Sequence, residues 1–210
     1  MEINLCYGCM ATREGDGPCP HCGFDENTYQ PAPHHLPPGT VLAGKYLLGR
    51  VLGEGGFGIT YVGWDLNLEM KIAIKEYFPN GFVTRNSGFD KTVTVLTGQK
   101  GDFFQRGLDK FVDEARRLGK FWGLPGIVSV KDYFQENKTG YIVMEFAQGQ
   151  TLKSILKNTP GGRLPADQVF EMMKPVMKSL EKVHKAGLIH RDISPDNLMV
   201  DQEADGSLTV

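Results

Sequence analysis

Long apolar runs are missing from this 210-residue chain. Nothing approaches the roughly 20 apolar positions that a membrane-spanning helix needs, so no membrane segment is expected in this portion. Met1-Glu2-Ile3-Asn4 also lacks the basic start and apolar core of a secretory signal, which points to a cytoplasmic location. Charge of one sign is absent too: Lys and Arg number 23 against 25 Asp and Glu. From Met1 to Gln30 the only Lys or Arg is Arg13, set against Glu2, Glu14, Asp16, Asp25 and Glu26. Phosphate contacts rest on positive charge, so nucleic-acid binding is not expected. There is no internal repeat, and cysteine is scarce, with none beyond Cys22. The length allows one good core or two small ones.

The few cysteines are placed informatively. Cys6-Tyr7-Gly8-Cys9 and Cys19-Pro20-His21-Cys22 are two Cys-x-x-Cys knuckles separated by nine residues. Two thiolates from each knuckle complete a tetrahedral zinc shell, with the polar, glycine-rich turn from Ala11 to Pro18 between them. A reducing compartment disfavours the alternative of disulfides. His21 offers a substitute ligand, but four sulfurs already saturate the site. Residues 1–24 therefore read as a separate zinc-ribbon module. Residues 25–40 hold Pro31, Pro33, Pro37 and Pro38 with no apolar period, and read as an extended, semi-stiff linker. His34 and His35 within it are expected to be solvated.

The next segments alternate strand and helix signals. Tyr46 to Val51 is strand-like and runs into Leu52-Gly53-Glu54-Gly55-Gly56-Phe57-Gly58. Glycines there let the backbone close over phosphate oxygens. Dinucleotide-binding folds use the same Gly-x-Gly-x-x-Gly letters but open a helix next. Here the β-branched and aromatic run from Ile59 to Trp64 predicts a second strand instead. Lys71-Ile72-Ala73-Ile74-Lys75 predicts a third. An added hairpin is expected from Phe82–Arg85 and Thr92–Leu96 around Asn86-Ser87-Gly88. From Phe103 to Phe121, Phe104, Leu108, Phe111, Ala115 and Leu118 recur at helical spacing, and Glu114 flanks that stripe. A second helix is expected from Pro165 to Ala186, with Val169, Met172, Met173, Val176, Met177, Leu180 and Val183 on one side. Then come His190-Arg191-Asp192-Ile193-Ser194-Pro195-Asp196-Asn197, a strand at Leu198–Val200, a polar turn from Gln202 to Gly206 and a return strand from Ser207 to Val210.

Taken together, these motifs resemble a bacterial protein kinase of the eukaryotic-like serine/threonine class, from about Val41 to the last residue. His-Arg-Asp-x-x-x-x-Asn matches the kinase catalytic loop, and Lys71–Lys75 resembles Val-Ala-Ile-Lys of the third kinase strand. The resemblance implies an α+β fold: the zinc ribbon, then a kinase N-lobe of antiparallel sheet plus one helix over 41–147, then the start of a helical C-lobe over 148–210. It implies ATP and Mg²⁺ as cofactors beside structural zinc, and a protein substrate. Asp192 would orient the acceptor hydroxyl, Lys75 held by Glu114 would grip ATP, and Asn197 would hold one magnesium ion. Gly53, Gly55 and Gly58 would cover the phosphates. Leu52, Thr60 and Ala73 would line the adenine site from one side and Met199 from the other. Met144 would be the gatekeeper, with the Glu145 and Ala147 backbones at the adenine edge.

Two positions depart from the pattern. Thr60 replaces the usual valine, and Ser194 stands where such kinases carry a lysine on the transferring phosphate. Losing one such donor costs roughly 100-fold to 1,000-fold in rate. Asp-Phe-Gly and Ala-Pro-Glu are both absent, so the chain is expected to be an N-terminal fragment that is inactive alone. Relatives of this kind often continue into a membrane helix and sensor domain. Two alternatives stand beside the protein kinase reading: a nucleotide- and zinc-binding pseudokinase scaffold, and a small-molecule kinase. Arg191 and the strand-three motif favour a protein substrate.

Overall fold

A computed structural model describes residues 4–13, 15, 17–96, 98–190, 192–202 and 208–210. The chain forms two compact units, one of Met1–Lys120 with Val130–Phe146 and one of Phe121–Ser129 with Ala147–Val210.

The first unit is built on strands β1 (Val41–Leu42), β2 (Tyr46–Gly55), β3 (Gly58–Asp65) and β4 (Met70–Tyr77). The hairpin β5 (Val83–Thr84) and β6 (Thr94–Val95) follows, then helix α1 (Gln99–Leu118), β7 (Val130–Glu136) and β8 (Thr139–Glu145). Six of these strands make one antiparallel sheet in the order β1-β2-β3-β4-β8-β7. Strand periodicity sorts its side chains. Ile59 and Tyr61 of β3 and Ile72 and Ile74 of β4 enter the main core with Phe104, Leu108 and Val112 of α1. Val62 lies on the other side, against Leu5 and Met10 of the cysteine knuckles, with Leu47, Trp64 and Phe146 packed around them. The knuckles therefore pack into the same unit as the sheet, because the outer apolar residues of β2 and β3 need a cover.

The linker is not extended in the way its prolines suggest. Leu36 is 1% exposed and lies in the main core. Proline brings a carbonyl without an N–H, and donors from the β5–β6 hairpin take up the linker's carbonyls. Ser87 N donates to Pro33 O at 3.0 Å and Arg85 Nε to His34 O at 2.9 Å. The hairpin itself forms as expected, with Val83 opposite Val95 and Thr84 opposite Thr94.

Arg85 does more than hold the linker. It meets Glu76, both side chains being fully enclosed. Arg85 Nη2 donates to Glu76 Oε2 at 2.8 Å, with Nη1 on Oε1, and the Tyr61 and Tyr141 hydroxyls add bonds of 3.0 and 2.9 Å. Burial opposes the guanidinium charge, yet Glu76 outweighs it and raises the Arg85 pKa. Burial and the Glu76 charge together push both tyrosine hydroxyls up.

Helix α1 begins at Gln99, four residues before the expected start at Phe103, and its buried face is Phe104, Leu108, Val112 and Ala115. Phe111 is only half-buried, a small rotation from the expected stripe. Gly107 is required in mid-helix, since a Cβ there would strike the Tyr77 hydroxyl.

The second unit contains β9 (Gln150–Thr151), α2 (Leu152–Asn158), α3 (Ala166–Lys185), β10 (Met199–Gln202) and β11 (Leu208–Thr209). The three strands pair antiparallel in the order β11-β10-β9. Thr151 caps α2 by accepting from Ser154 N. Leu152, Met172 and Val200 form its core. Met172, Val176 and Val183 of the expected α3 stripe are buried, whereas Met177 is 45% exposed. Residues 203–207 of the expected turn and return strand lie outside the described residues. Among the described residues, no helix is long and apolar enough to cross a membrane.

Candidate functional site

The glycine loop is the β2–β3 hairpin, with Gly53 opposite Thr60, Glu54 opposite Ile59 and Gly55 opposite Gly58. Side chains at Gly53, Gly55 and Gly56 would meet open space, so these positions leave room above the backbone. Gly58 is constrained instead, because a Cβ there would collide with the Glu76 carbonyl. Gly56 O accepts from Asn80 N at 3.0 Å and Phe57 O from Phe78 N at 3.1 Å, which holds the tip. Glu54 is held from the linker: its carboxylate meets His34 Nε2 at 3.0 Å and His35 Nε2 at 2.8 Å. The His35 hydrogen bond lowers the Glu54 pKa against partial burial, with His34 assisting. The two histidines are therefore not solvated, contrary to the sequence expectation.

Register brings the next predicted residues together. Lys75 lies opposite Thr60 on β3 and opposite Ile142 on β8, and Ala73 lies opposite Val62 and Met144. Lys71, Ala73 and Lys75 alternate along β4 and so share one face. That face meets the knuckles at Val62, directly opposite Ala73. Ala73 is 8% exposed and Leu52 39%; Thr60, Met144 and Glu145 are half-buried. Lys75 and Glu114 are both exposed, and among the described residues the ion pairs do not join them. Asp113, one residue before Glu114, pairs instead with Arg116 at 3.4 Å.

In the second unit the segment before β10 is tied into a tight loop. Asn197 Nδ2 donates to Asp192 O at 3.0 Å, and Asn197 N to Ser194 O at 3.0 Å. Lys153 anchors the loop from α2, through its N–H on Pro195 O at 2.9 Å and its ammonium on Asp196 at 2.7 Å. Asp192 and Asn197 are exposed, while Ser194 and Met199 are half-buried. The Asn197 amide nitrogen is thus engaged on Asp192 O. Arg191 lies outside the described residues; Ala147 is half-buried.

The four cysteines converge. Their sulfurs all lie within 4.8 Å of one another, with Cys6–Cys22 at 3.7 Å and Cys9–Cys19 at 3.9 Å. Gly8 N donates to Cys6 Sγ at 3.3 Å. A Cβ on Gly8 would run into Phe24, and Gly23 adopts φ 71°, so both knuckles need their glycines. Burial opposes the Cys19 thiolate, but the Cys22 and His21 N–H groups and the Cys6 thiol bring its pKa down to about 6. Burial drives Cys6 the other way, to about 12. Arg13, the one Lys or Arg in the first 30 residues, is paired with Glu26 at 2.6 Å.

Residues 46–209 match the family model for the protein kinase domain. The chain belongs to the protein kinase family. It is 31% identical over 167 residues to serine/threonine-protein kinase PknA of Mycobacterium tuberculosis, covering 77% of this chain and 33% of that protein. It is 33% identical over 169 residues to serine/threonine-protein kinase PksC of Streptomyces coelicolor, covering 77% and 27%. This kinase chain thus spans about a third of the length of these curated relatives. Among solved structures, the apo form of PpkA-294 matches with a TM-score of 0.72 at 32% identity, covering 84% of this chain and 60% of that one. The PknI kinase domain of Mycobacterium tuberculosis shares the fold, with a TM-score of 0.61 at 22% identity, covering 84% and 62%. The protein kinase fold is thereby established, and the curated relatives that the chain matches are named bacterial serine/threonine kinases.

Sequence reasoning did not find Glu54, His34, His35, Glu76 or Arg85. Their contacts join positions 9 to 51 residues apart, and no local spacing announces them.

Proposed function

We propose that the protein is an ATP- and magnesium-dependent serine/threonine protein kinase, of which this chain carries the nucleotide-facing sheet and the catalytic loop. One observation carries the reading: Lys75 stands opposite Thr60 on the strand that follows the glycine hairpin, in a chain that also closes Asp192 and Asn197 into one loop. Gly53 and Gly55 leave space above the backbone for phosphate oxygens, and Gly58 lets the loop pack closely on the Glu76 carbonyl. Lys75 would meet the α- and β-phosphates, with Glu114 as its partner. That pair is open here, so the reading requires it to close when nucleotide is bound. Leu52, Thr60, Ala73, Met144 and the Glu145 backbone, all in the sheet-based unit, would face the adenine. Asp192 would orient the acceptor hydroxyl and take its proton, and Asn197 would hold a magnesium ion, which when bound neutralises phosphate charge. Ser194 supplies no cation to the transferring phosphate. The names of the relatives support a serine or threonine acceptor.

We further assign the four cysteines to a structural zinc ion. Sulfurs about 2.3 Å from a tetrahedral zinc stand about 3.8 Å apart, which the 3.7 and 3.9 Å separations match. The packing of Leu5 and Met10 on Val62, and the pairing of Arg13 with Glu26, favour a brace for the sheet over a nucleic-acid contact. Four free, converging cysteines fit a reducing, cytoplasmic site of action.

The open Lys75–Glu114 pair and Ser194 favour one second reading, a nucleotide-binding scaffold. Transfer of labelled γ-phosphate to a protein acceptor by the full-length protein separates the two. The kinase reading expects transfer in the wild type and its loss in Lys75→Met. Equal labelling with and without Lys75, or binding of ATP with no transfer, overturns it.

A further inference from the structure

The N-terminal segment grips β2 at successive points on the approach to the glycine loop. Arg50 N donates to Tyr7 O at 2.7 Å, Arg50 Nε to Gly8 O at 3.0 Å and Val51 N to the Tyr29 hydroxyl at 3.1 Å. These donors fall where the β2–β3 register shifts, between Leu48, Val51 and Gly53, so the segment satisfies N–H groups that the ladder leaves over. Beyond them, Glu54 lies between two flexible glycines and offers one carboxylate oxygen to each of His34 and His35. We propose that His34 and His35 are positioning residues for the nucleotide, latching the phosphate-binding loop through Glu54.

The histidines are themselves well anchored. His35 Nδ1 accepts from Ala32 N at 3.2 Å. That bond places the ring proton on Nε2, which then donates to Glu54. The same tautomer removes the Nε2 lone pair that a metal would need, so these three residues form a latch and not a cation site. The His34 ring stacks on Phe78 with centroids 5.4 Å apart, and Phe78 N is the donor that holds Phe57 O. The His34 carbonyl is held by Arg85, whose guanidinium also lies 5.1 Å from the Phe78 ring. Arg85 and its partner Glu76 are the other charged groups facing this cluster. Gly56 and Phe57 at the tip are bonded to Asn80 and Phe78, so Glu54 is the point where the N-terminal segment joins the same loop.

A loop with glycines at 53, 55, 56 and 58 has little stiffness of its own. Ordering it around a triphosphate reduces affinity, and a latch formed beforehand lessens that loss. The inference rests on reading this loop as the phosphate site. The effect belongs on ATP affinity, because neither histidine touches the reacting atoms.

The test is a double-mutant cycle in the full-length protein: wild type, Glu54→Ala, His34→Ala/His35→Ala, and the triple variant. ATP KM and kcat are measured for each, together with amide hydrogen exchange of residues 53–58 without nucleotide. Each partial variant is expected to raise ATP KM about threefold to tenfold, with the change in KM and not in kcat. The triple variant should be no worse than either, exchange should quicken in all three, and His35→Gln, which keeps a donor, should restore much of the affinity. Unchanged KM and exchange, or effects that simply add, overturn the latch. If the wild type shows no saturable use of ATP, the phosphate-site reading fails. The nucleotide role of the histidines then falls with it, and the exchange rates alone decide whether the latch exists.

Discussion

In the sheet-based unit, the enclosed Glu76 accepts hydrogen bonds from Arg85, Tyr61 and Tyr141, whereas in the helical unit Asp192 and Asn197 stand exposed and are joined by one bond. The first cluster binds five pieces of chain: β3, β4, the β5–β6 hairpin, β8 and, through the His34 carbonyl, the linker. The second holds a short loop in shape and leaves its functional atoms open to a partner. A charge pair shut away from water is strongly destabilising when one member is removed, while an exposed pair contributes little. Enclosed polar groups here secure the scaffold, and exposed ones are available for chemistry.

The sharpest way to break that contrast is to remove the brace on the sheet. Zinc ligation is folding free energy for such knuckles, on the order of 10 kcal/mol in isolated peptides. Chelation, or Cys6→Ser, is expected to release the Leu5–Met10 cover and lower the melting temperature of the sheet unit, with metal analysis showing loss of one zinc per chain. Arg85→Ala comes next, at about 3–5 kcal/mol, because Glu76 would keep an uncompensated buried charge; denaturant unfolding measures it. Gly107→Ala should cost about 1–3 kcal/mol by overpacking against the Tyr77 hydroxyl, and Tyr77→Phe should relieve much of that.

Acid provides a graded test. Burial opposes the Asp132 charge, but bonds from Tyr46 and Lys45 outweigh it and lower its pKa; His35 and His34 do the same for Glu54. A carboxyl lowered on folding stabilises fully above its unfolded pKa and loses that contribution as pH falls through the folded value. Stability of the sheet unit should therefore decline below about pH 4.5, and Asp132→Asn should flatten the decline in thermal scans against pH. The smallest effect belongs to the helical unit. Lys153→Ala removes an exposed pair with Asp196 and should cost about 0–1 kcal/mol by the same unfolding measurement. A loss there as large as that of Arg85→Ala would erase the distinction between the two regions.

The division also explains what was legible in the sequence. The glycine hairpin, Lys75, the cysteine knuckles and the Asp192–Asn197 loop each depend on residues a few positions apart, so local spacing reveals them. The start of α1 was not legible, because Gln99-Lys100-Gly101-Asp102 carries no apolar phase and includes a glycine. Nor was the folding of the linker onto the sheet. Leu36 is a lone apolar residue among prolines, and its burial depends on Tyr61, 25 residues away. His34 and His35 look like linker histidines until the hairpin brings Glu54 to them. The pairing of Lys75 with Glu114 was what the family resemblance implied; helix phase fixes only which side Glu114 occupies and not how far it lies from the strand.

Single-turnover phosphoryl transfer at saturating ATP, comparing the full-length wild type with Asp192→Asn, tests the kinase reading most directly. The chemical step should slow by about 100-fold to 10,000-fold through loss of the general base, while ATP affinity stays within about twofold because Asp192 is assigned to the acceptor hydroxyl. An unchanged rate of transfer would contradict that assignment.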